Sequence, residues 1–195
     1  LTSSALANLR APYRTPGGRL LDLADPKVED LDLEDIAHNL ARVCRFGGAV
    51  DEFYSVASHS VYVARQLEAQ GAALAVVRAG LLHDATEAYL GDMVSGLKRL
   101  CPEYRSLEDV WAGCVEARFD VRLRRDPHKS IIKEADLRAR LAECRDLFVH
   151  CPYPRELLLG GEGDRLPFAA RCVAQTPDEA EWDFIAEARR LGVGS

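Results

Sequence analysis

Ser55-Val56-Ala57-Ser58-His59-Ser60-Val61-Tyr62-Val63-Ala64-Arg65-Gln66-Leu67, closed by Gly71, reads as an amphipathic helix. Ser55 supplies a capping oxygen, and Val56, Ser60, Val63 and Leu67 recur on one face at helical spacing. His59 falls one turn after Val56 and one before Val63, so its imidazole points inward with them. The following segment, about Ala72 to Ala88, repeats the pattern with Leu74, Val77 and Leu81, and carries a second polar pair in Leu81-Leu82-His83-Asp84.

The same signals continue outward in both directions. Asp32 caps a helix to about Cys44, with Leu33, Ile36, Ala37 and Leu40 on one face, and Gly47 and Gly48 end it. Beyond a break bracketed by Gly91 and Gly96, a helix runs from about Glu103 to Phe119. Asp126 caps a longer one, with Pro127 in its first turn, reaching about His150. On it Asp136 stands one turn after Ile132 and one before Ala139. Thr176, Pro177 and Glu179 form a capping box for a last helix to about Leu191. Residues 1–30, with Pro12, Pro16, Gly17, Gly18 and Pro26, predict an irregular segment. Residues 151–175 are loop-rich, with room for a short strand at 156–159 or 171–174. The alternation of a sheet is absent, so the expected fold is an all-α bundle: one domain over residues 1–195, with 151–195 as a C-terminal extension.

Composition narrows the function classes. The chain has 195 residues, 48% hydrophobic and 29% charged, as in globular proteins rather than disordered ones. Its formal net charge of -6 argues against a uniformly basic nucleic-acid surface and leaves room for a local phosphate pocket. No apolar run approaches the ~18 residues of a membrane helix, and no secretory signal is apparent. A cytoplasmic protein with neither a membrane nor a stable nucleic-acid partner is expected. The six cysteines include no pair at CxxC spacing, which predicts free thiols rather than a zinc knot.

His59, His83, Asp84 and Asp136 therefore stand on or beside inward faces of three helices. A buried carboxylate is costly unless paired or bound to a cation. Two imidazoles and two carboxylates make a plausible shell for one divalent ion, of a chemistry suited to Mn, Co, Fe or Zn more than Ca. Singly each residue has a plainer reading. His59 can be a hydrogen-bonded core histidine, and Asp136 an ion-pair partner of Arg138 or Arg140.

The order H…HD…D is similar to the signature of the HD superfamily of metal-dependent phosphohydrolases. His83-Asp84-Ala85-Thr86-Glu87-Ala88-Tyr89-Leu90-Gly91-Asp92 resembles the bacterial 5'-deoxynucleotidases. Together with Asp35-Ile36-Ala37-His38, Cys44-Arg45-Phe46-Gly47 and Phe53–Val61, it resembles still more the small phage-type HD phosphohydrolases, some of which cleave dATP. The resemblance covers roughly residues 10–150. It implies an HD-domain bundle and one divalent metal (Mn, Co, Zn, Fe or Mg) on His59, His83, Asp84 and Asp136. It also implies Glu87 to activate water, Asp92 near the leaving group, and Arg45 and Lys98 on phosphate. Phe46, beside Arg45, can wall the sugar. The expected reaction is release of phosphate from a deoxynucleoside monophosphate, or of triphosphate from a dNTP such as dATP. The chain departs from such relatives in Ser58, where an acid or amide often precedes the first His, and in Val94-Ser95-Gly96, where a proline-bearing turn is usual.

Two other functions fit less of the pattern. A cyclic-nucleotide phosphodiesterase usually needs more histidines, and His38, His128 and His150 form no obvious second site. A non-catalytic nucleotide-binding HD protein has no use for Glu87 and Asp92. Assembly is expected as well. The stripe Leu107, Val110, Trp111, Cys114 and Val115 looks too large for one domain to bury beside the metal-site helices, which predicts a homo-oligomer, at least a dimer.

Overall fold

Helix α2 (Val56–Ala69) runs through the middle of the molecule. Its small residues Ala57, Ser58, Ser60 and Ala64 are buried along with the stripe side chains, so neighbours pack on several of its sides. The computed structural model describes residues 10–151, 153–158 and 166–194. Helix α3 (Leu74–Leu81) lies along α2. Gly80 makes that approach possible, because a Cβ there would overlap Leu67 Cδ1. Helix α1 (Leu33–Arg42) is capped by Asp32, whose carboxylate accepts from the Glu34 and Asp35 amides, and it buries Ile36, Ala37 and Leu40. The chain goes on through α4 (Glu87–Leu90), α5 (Ser95–Leu100), α6 (Pro102–Phe119), α7 (His128–Asp146), α8 (Arg155–Leu158) and α9 (Pro177–Leu191). The all-α expectation holds. No helix of the described residues is long and apolar enough to cross a membrane, and all six cysteines are free thiols.

Several expectations are corrected. The helix read from Ala72 to Ala88 stops at Leu81, and Leu82–Thr86 form a turn before α4. The break read between Gly91 and Gly96 is partly filled by α5, since Gly96 lies inside that helix. Residues 155–158 are helical rather than a strand, and 171–174 lack regular structure. Gly160, Gly161 and Gly163 lie outside the described residues, as do residues 1–9. Helix α9 packs on α1, α2 and α3 through fully buried Ala180, Phe184 and Ala188, so the C-terminal helix is part of the bundle. Its capping box forms as read from the sequence.

The N-terminal segment is not wholly irregular. Strands β1 (Pro12–Arg14) and β2 (Leu20–Asp22) pair antiparallel, with Tyr13 opposite Leu21. Three residues per strand leave no readable alternation, and the hairpin is fixed by tertiary contacts. Asp35 of α1 accepts from the Gly17 amide at 2.6 Å and from Arg19 at 2.9 Å. Burial opposes ionisation of this carboxyl, but the hydrogen bonds from Arg19, Thr15 and Gly17 hold it below the usual value of 3.8. A lowered pKa gives stability that is complete above the unfolded value and disappears as the pH falls through the folded one. Asp35→Ala is therefore expected to cost about 1–3 kcal/mol at pH 7. The gap to the parent, read from urea midpoints, narrows once the pH drops below about 4. A gap that stays constant from pH 7 to pH 2.5 would show that the carboxylate charge does not anchor the hairpin.

The apolar stripe of α6 also finds its partners within the chain. Trp111 is 0% exposed, stacks on Tyr89 with ring centroids 4.3 Å apart, and donates to the Leu23 carbonyl. Val115 is buried as well, Leu107 and Cys114 are half-buried, and Val110 alone of the five is exposed. The stripe is thus core, covered by the N-terminal segment and α4, and it supplies no reason for assembly.

Candidate metal centre

The first turn of α2 buries His59 completely. Its Nδ1 lies 2.5 Å from Oε1 of Glu143, itself fully buried on α7. A carboxylate only accepts, so Nδ1 carries the proton and the Nε2 lone pair faces the other way. His83 reaches the same orientation differently. Where α3 ends, its last carbonyls lose their helical partners. Gly80 O is one of them, and it accepts from His83 Nδ1 at 2.8 Å. Both rings therefore turn Nε2 inward, and the two nitrogens lie 3.3 Å apart.

Two carboxylates meet them there. Asp84 Oδ2 is 3.1 Å from His83 Nε2 and 3.6 Å from His59 Nε2. Asp136 Oδ1 is 3.2 Å from His59 Nε2 but off the line of a hydrogen bond, so this buried oxygen has no hydrogen-bond partner. The other oxygen of Asp136 is held by Arg140 at 2.8 Å. Facing lone pairs and carboxylate oxygens repel one another unless positive charge lies between them. A metal at about 2.0–2.2 Å from each donor sets neighbouring donors roughly 3–3.5 Å apart, and the distances here are of that size. The donor atoms of His59, His83 and Asp84 all fall within 4.8 Å of one another, and this group can hold a metal ion. Asp136 adjoins it through His59.

The acid-rich surroundings leave their mark on titration. Without a metal, burial and Arg45 disfavour the charged imidazole of His59, yet Glu143 and Asp136 raise its pKa to about 9, so Nε2 must lose a proton to serve as a ligand. Burial likewise opposes ionisation of Asp84 and Asp136, but the nearby histidines, with Arg140 beside Asp136, hold both carboxyls low. Glu87 behaves oppositely. It opens α4 in a buried position, with Oε2 lacking a partner. Burial, then the charges of Asp84 and Asp92, push its carboxyl well above the ordinary value. Asp92, just past Gly91 (φ 78°), is raised by burial and by Asp84.

The remaining expected site residues surround the same opening. Arg45, Phe46, Asp84, Glu87, Asp92, Lys98 and Asp136 line a cavity of about 410 Å³, and His59 and His83 lie behind this lining against Asp84. Arg45 and Phe46 begin a 3-10 turn (Arg45–Gly48) in which Phe46 takes φ 56°, a conformation uncommon for a bulky residue. Phe46 stacks on Tyr153, with centroids 5.7 Å apart, and meets Phe148 edge-on.

The cations are more engaged than the sequence suggests. Arg45 is buried among Glu143, Asp84 and Asp136 at 3.1, 3.6 and 3.9 Å, and its buried Nε lacks a hydrogen-bond partner. Lys98 pairs with Glu108 at 2.6 Å. Sequence reasoning missed Glu143, Glu108 and Tyr153, whereas Arg140 pairs with Asp136 as the plainer reading of that residue had it. A signal existed for Glu143: it lies seven residues beyond Asp136, two turns along the face that carries Ile132 and Ala139. Nothing local marks Glu108 or Tyr153.

No family model matches the chain. It is similar to the uncharacterized protein YfdR of Escherichia coli (strain K12), 38% identical over 120 residues, which are 61% of this chain and 62% of that protein. An uncharacterized protein of Rhodobacter capsulatus is 42% identical over 134 residues, 65% of this chain and 68% of its own length. The chain thus spans less than two thirds of the length of YfdR.

Proposed function

This chain belongs to one family with the Rhodobacter capsulatus protein, and we propose for it the chemistry of an HD-type, metal-dependent phosphohydrolase acting on deoxynucleotides. One observation carries the reading: two histidines, locked with Nε2 inward by Glu143 and by Gly80 O, meet Asp84 and Asp136, which line a cavity walled by acids and cations. The order H…HD…D in the sequence supports the same assignment.

His59, His83, Asp84 and Asp136 hold one divalent ion, which supplies Lewis-acid stabilisation of charge on a phosphoryl oxygen. Manganese, cobalt, zinc, iron and magnesium are the candidates. Glu87 takes a proton from the attacking water, a task that suits a buried carboxyl with a raised pKa. Arg45 balances negative charge behind the ligands and brings positive charge to a phosphate oxygen at the cavity wall. Lys98, held by Glu108, adds a second positive charge at the cavity wall. Asp92 lies where the sugar or the leaving oxygen enters, and Phe46 with Tyr153 forms an apolar wall for the sugar and base.

A product screen over all nucleoside and deoxynucleoside mono- and triphosphates tests this, with each of the five metals in turn and with chelator. We expect turnover only with metal and a preference for deoxynucleotides. Inorganic phosphate as product identifies a monophosphate substrate, and intact triphosphate identifies a dNTP. Absence of turnover on every nucleotide with every metal would reject the assignment.

A further inference from the structure

Glu143 is fully buried, and a carboxylate in that position is costly unless both oxygens are engaged. They are engaged by residues from different parts of the chain. Oε1 accepts from His59 Nδ1 at 2.5 Å, across 84 residues of sequence, and Oε2 accepts from Arg45 Nη2 at 3.1 Å, across 98. Of the three acids around Arg45, Glu143 is the nearest. The guanidinium stops the carboxylate from turning away, and the carboxylate stops the His59 ring from flipping.

We infer that Glu143 is a positioning residue for the metal centre: clamped by Arg45, it fixes His59 as the Nδ1–H tautomer with Nε2 directed at His83 and Asp84. A ring turned by 180° would put a protonated nitrogen among the ligands. A carboxylate on Nδ1–H also makes Nε2 a better donor. The inference rests on the metal-binding half of the proposed function and on no assumption about substrate.

Two measurements that need no turnover test it. In the parent loaded with zinc, long-range ¹⁵N–¹H spectra are expected to show His59 protonated at Nδ1 and bound through Nε2. Titration calorimetry with zinc alone is expected to show Glu143→Met, which removes the acceptor, binding about 10–100-fold more weakly. Glu143→Gln, which keeps an acceptor oxygen but not the charge, is expected to lose less affinity and to retain the Nδ1–H signal. A purely structural role would lower melting temperature in both variants and leave zinc affinity alone. If Glu143→Met does not fold, because it strands Arg45 in the interior, the parent spectrum and the Gln variant decide the matter. The inference is overturned by a parent His59 bound through Nδ1, or by a folded Glu143→Met protein with parental zinc affinity. A parent that binds zinc as expected but turns over no nucleotide rejects the phosphohydrolase reading and leaves this inference standing.

Discussion

Asp136→Ala is expected to give a folded protein that has lost its metal and, with it, measurable turnover. The side chain is 19% exposed, so its removal opens no deep void, and Arg140, at 24%, is left with access to water. The fold should therefore survive with a small change in melting temperature, in keeping with the modest worth of i,i+4 ion pairs. The effect on the metal should be far larger. Oδ1 has no hydrogen-bond partner and stands 3.2 Å from His59 Nε2, beside Arg45 rather than in solvent. Losing a ligand costs more than the ~10–100-fold in affinity that follows loss of a ligand's hydrogen-bonding partner. Elemental analysis, calorimetry and phosphate release on one preparation measure all three quantities. An Asp136→Ala protein with parental metal content would return the residue to the plainer role of partner to Arg140.

Glu87→Gln should separate chemistry from binding. The residue is three positions past Asp84, in a buried pocket, and the structure gives its Oε2 no partner. Gln keeps the shape and one acceptor but cannot take a proton. General acid–base help is typically worth ~10²–10⁴ in rate, and turnover is expected to fall by that factor with metal content and nucleotide affinity nearly unchanged. The stability effect has the opposite sign. A carboxyl whose pKa is raised on folding penalises the folded state as the pH climbs above its unfolded value. The metal-free Gln variant should then melt at the same temperature as the parent or higher, with an advantage that grows as the pH rises above the ordinary carboxyl value. Near-parental turnover in a metal-loaded Glu87→Gln protein would remove Glu87 from the mechanism and turn attention to Asp92.

Much of the fold was legible because its signals are local. Caps at Asp32, Ser55 and Thr176, and apolar residues three and four apart, specify helices whatever surrounds them. The same periodicity marked His59 and Asp136 as inward-facing. The failures share one cause. The β1–β2 hairpin depends on Asp35, and the helix ends at Leu81 with Leu82 in the capping position, where neither a capping Gly nor a following Pro announces the stop. The α6 stripe looked like an interface because the sequence does not announce that residues near Leu23 and Tyr89 fold over Trp111.

Sequence alone determined an all-α chain carrying His59, His83-Asp84 and Asp136 on inward positions, since helical period and capping act over a few residues. Only the tertiary structure decided that those side chains converge, that both imidazoles present Nε2, and that Arg45 is clamped to Glu143. Those facts turn on partners 84 and 98 residues apart brought together by packing, and on the high cost of leaving a buried charge unpaired, which no local pattern encodes.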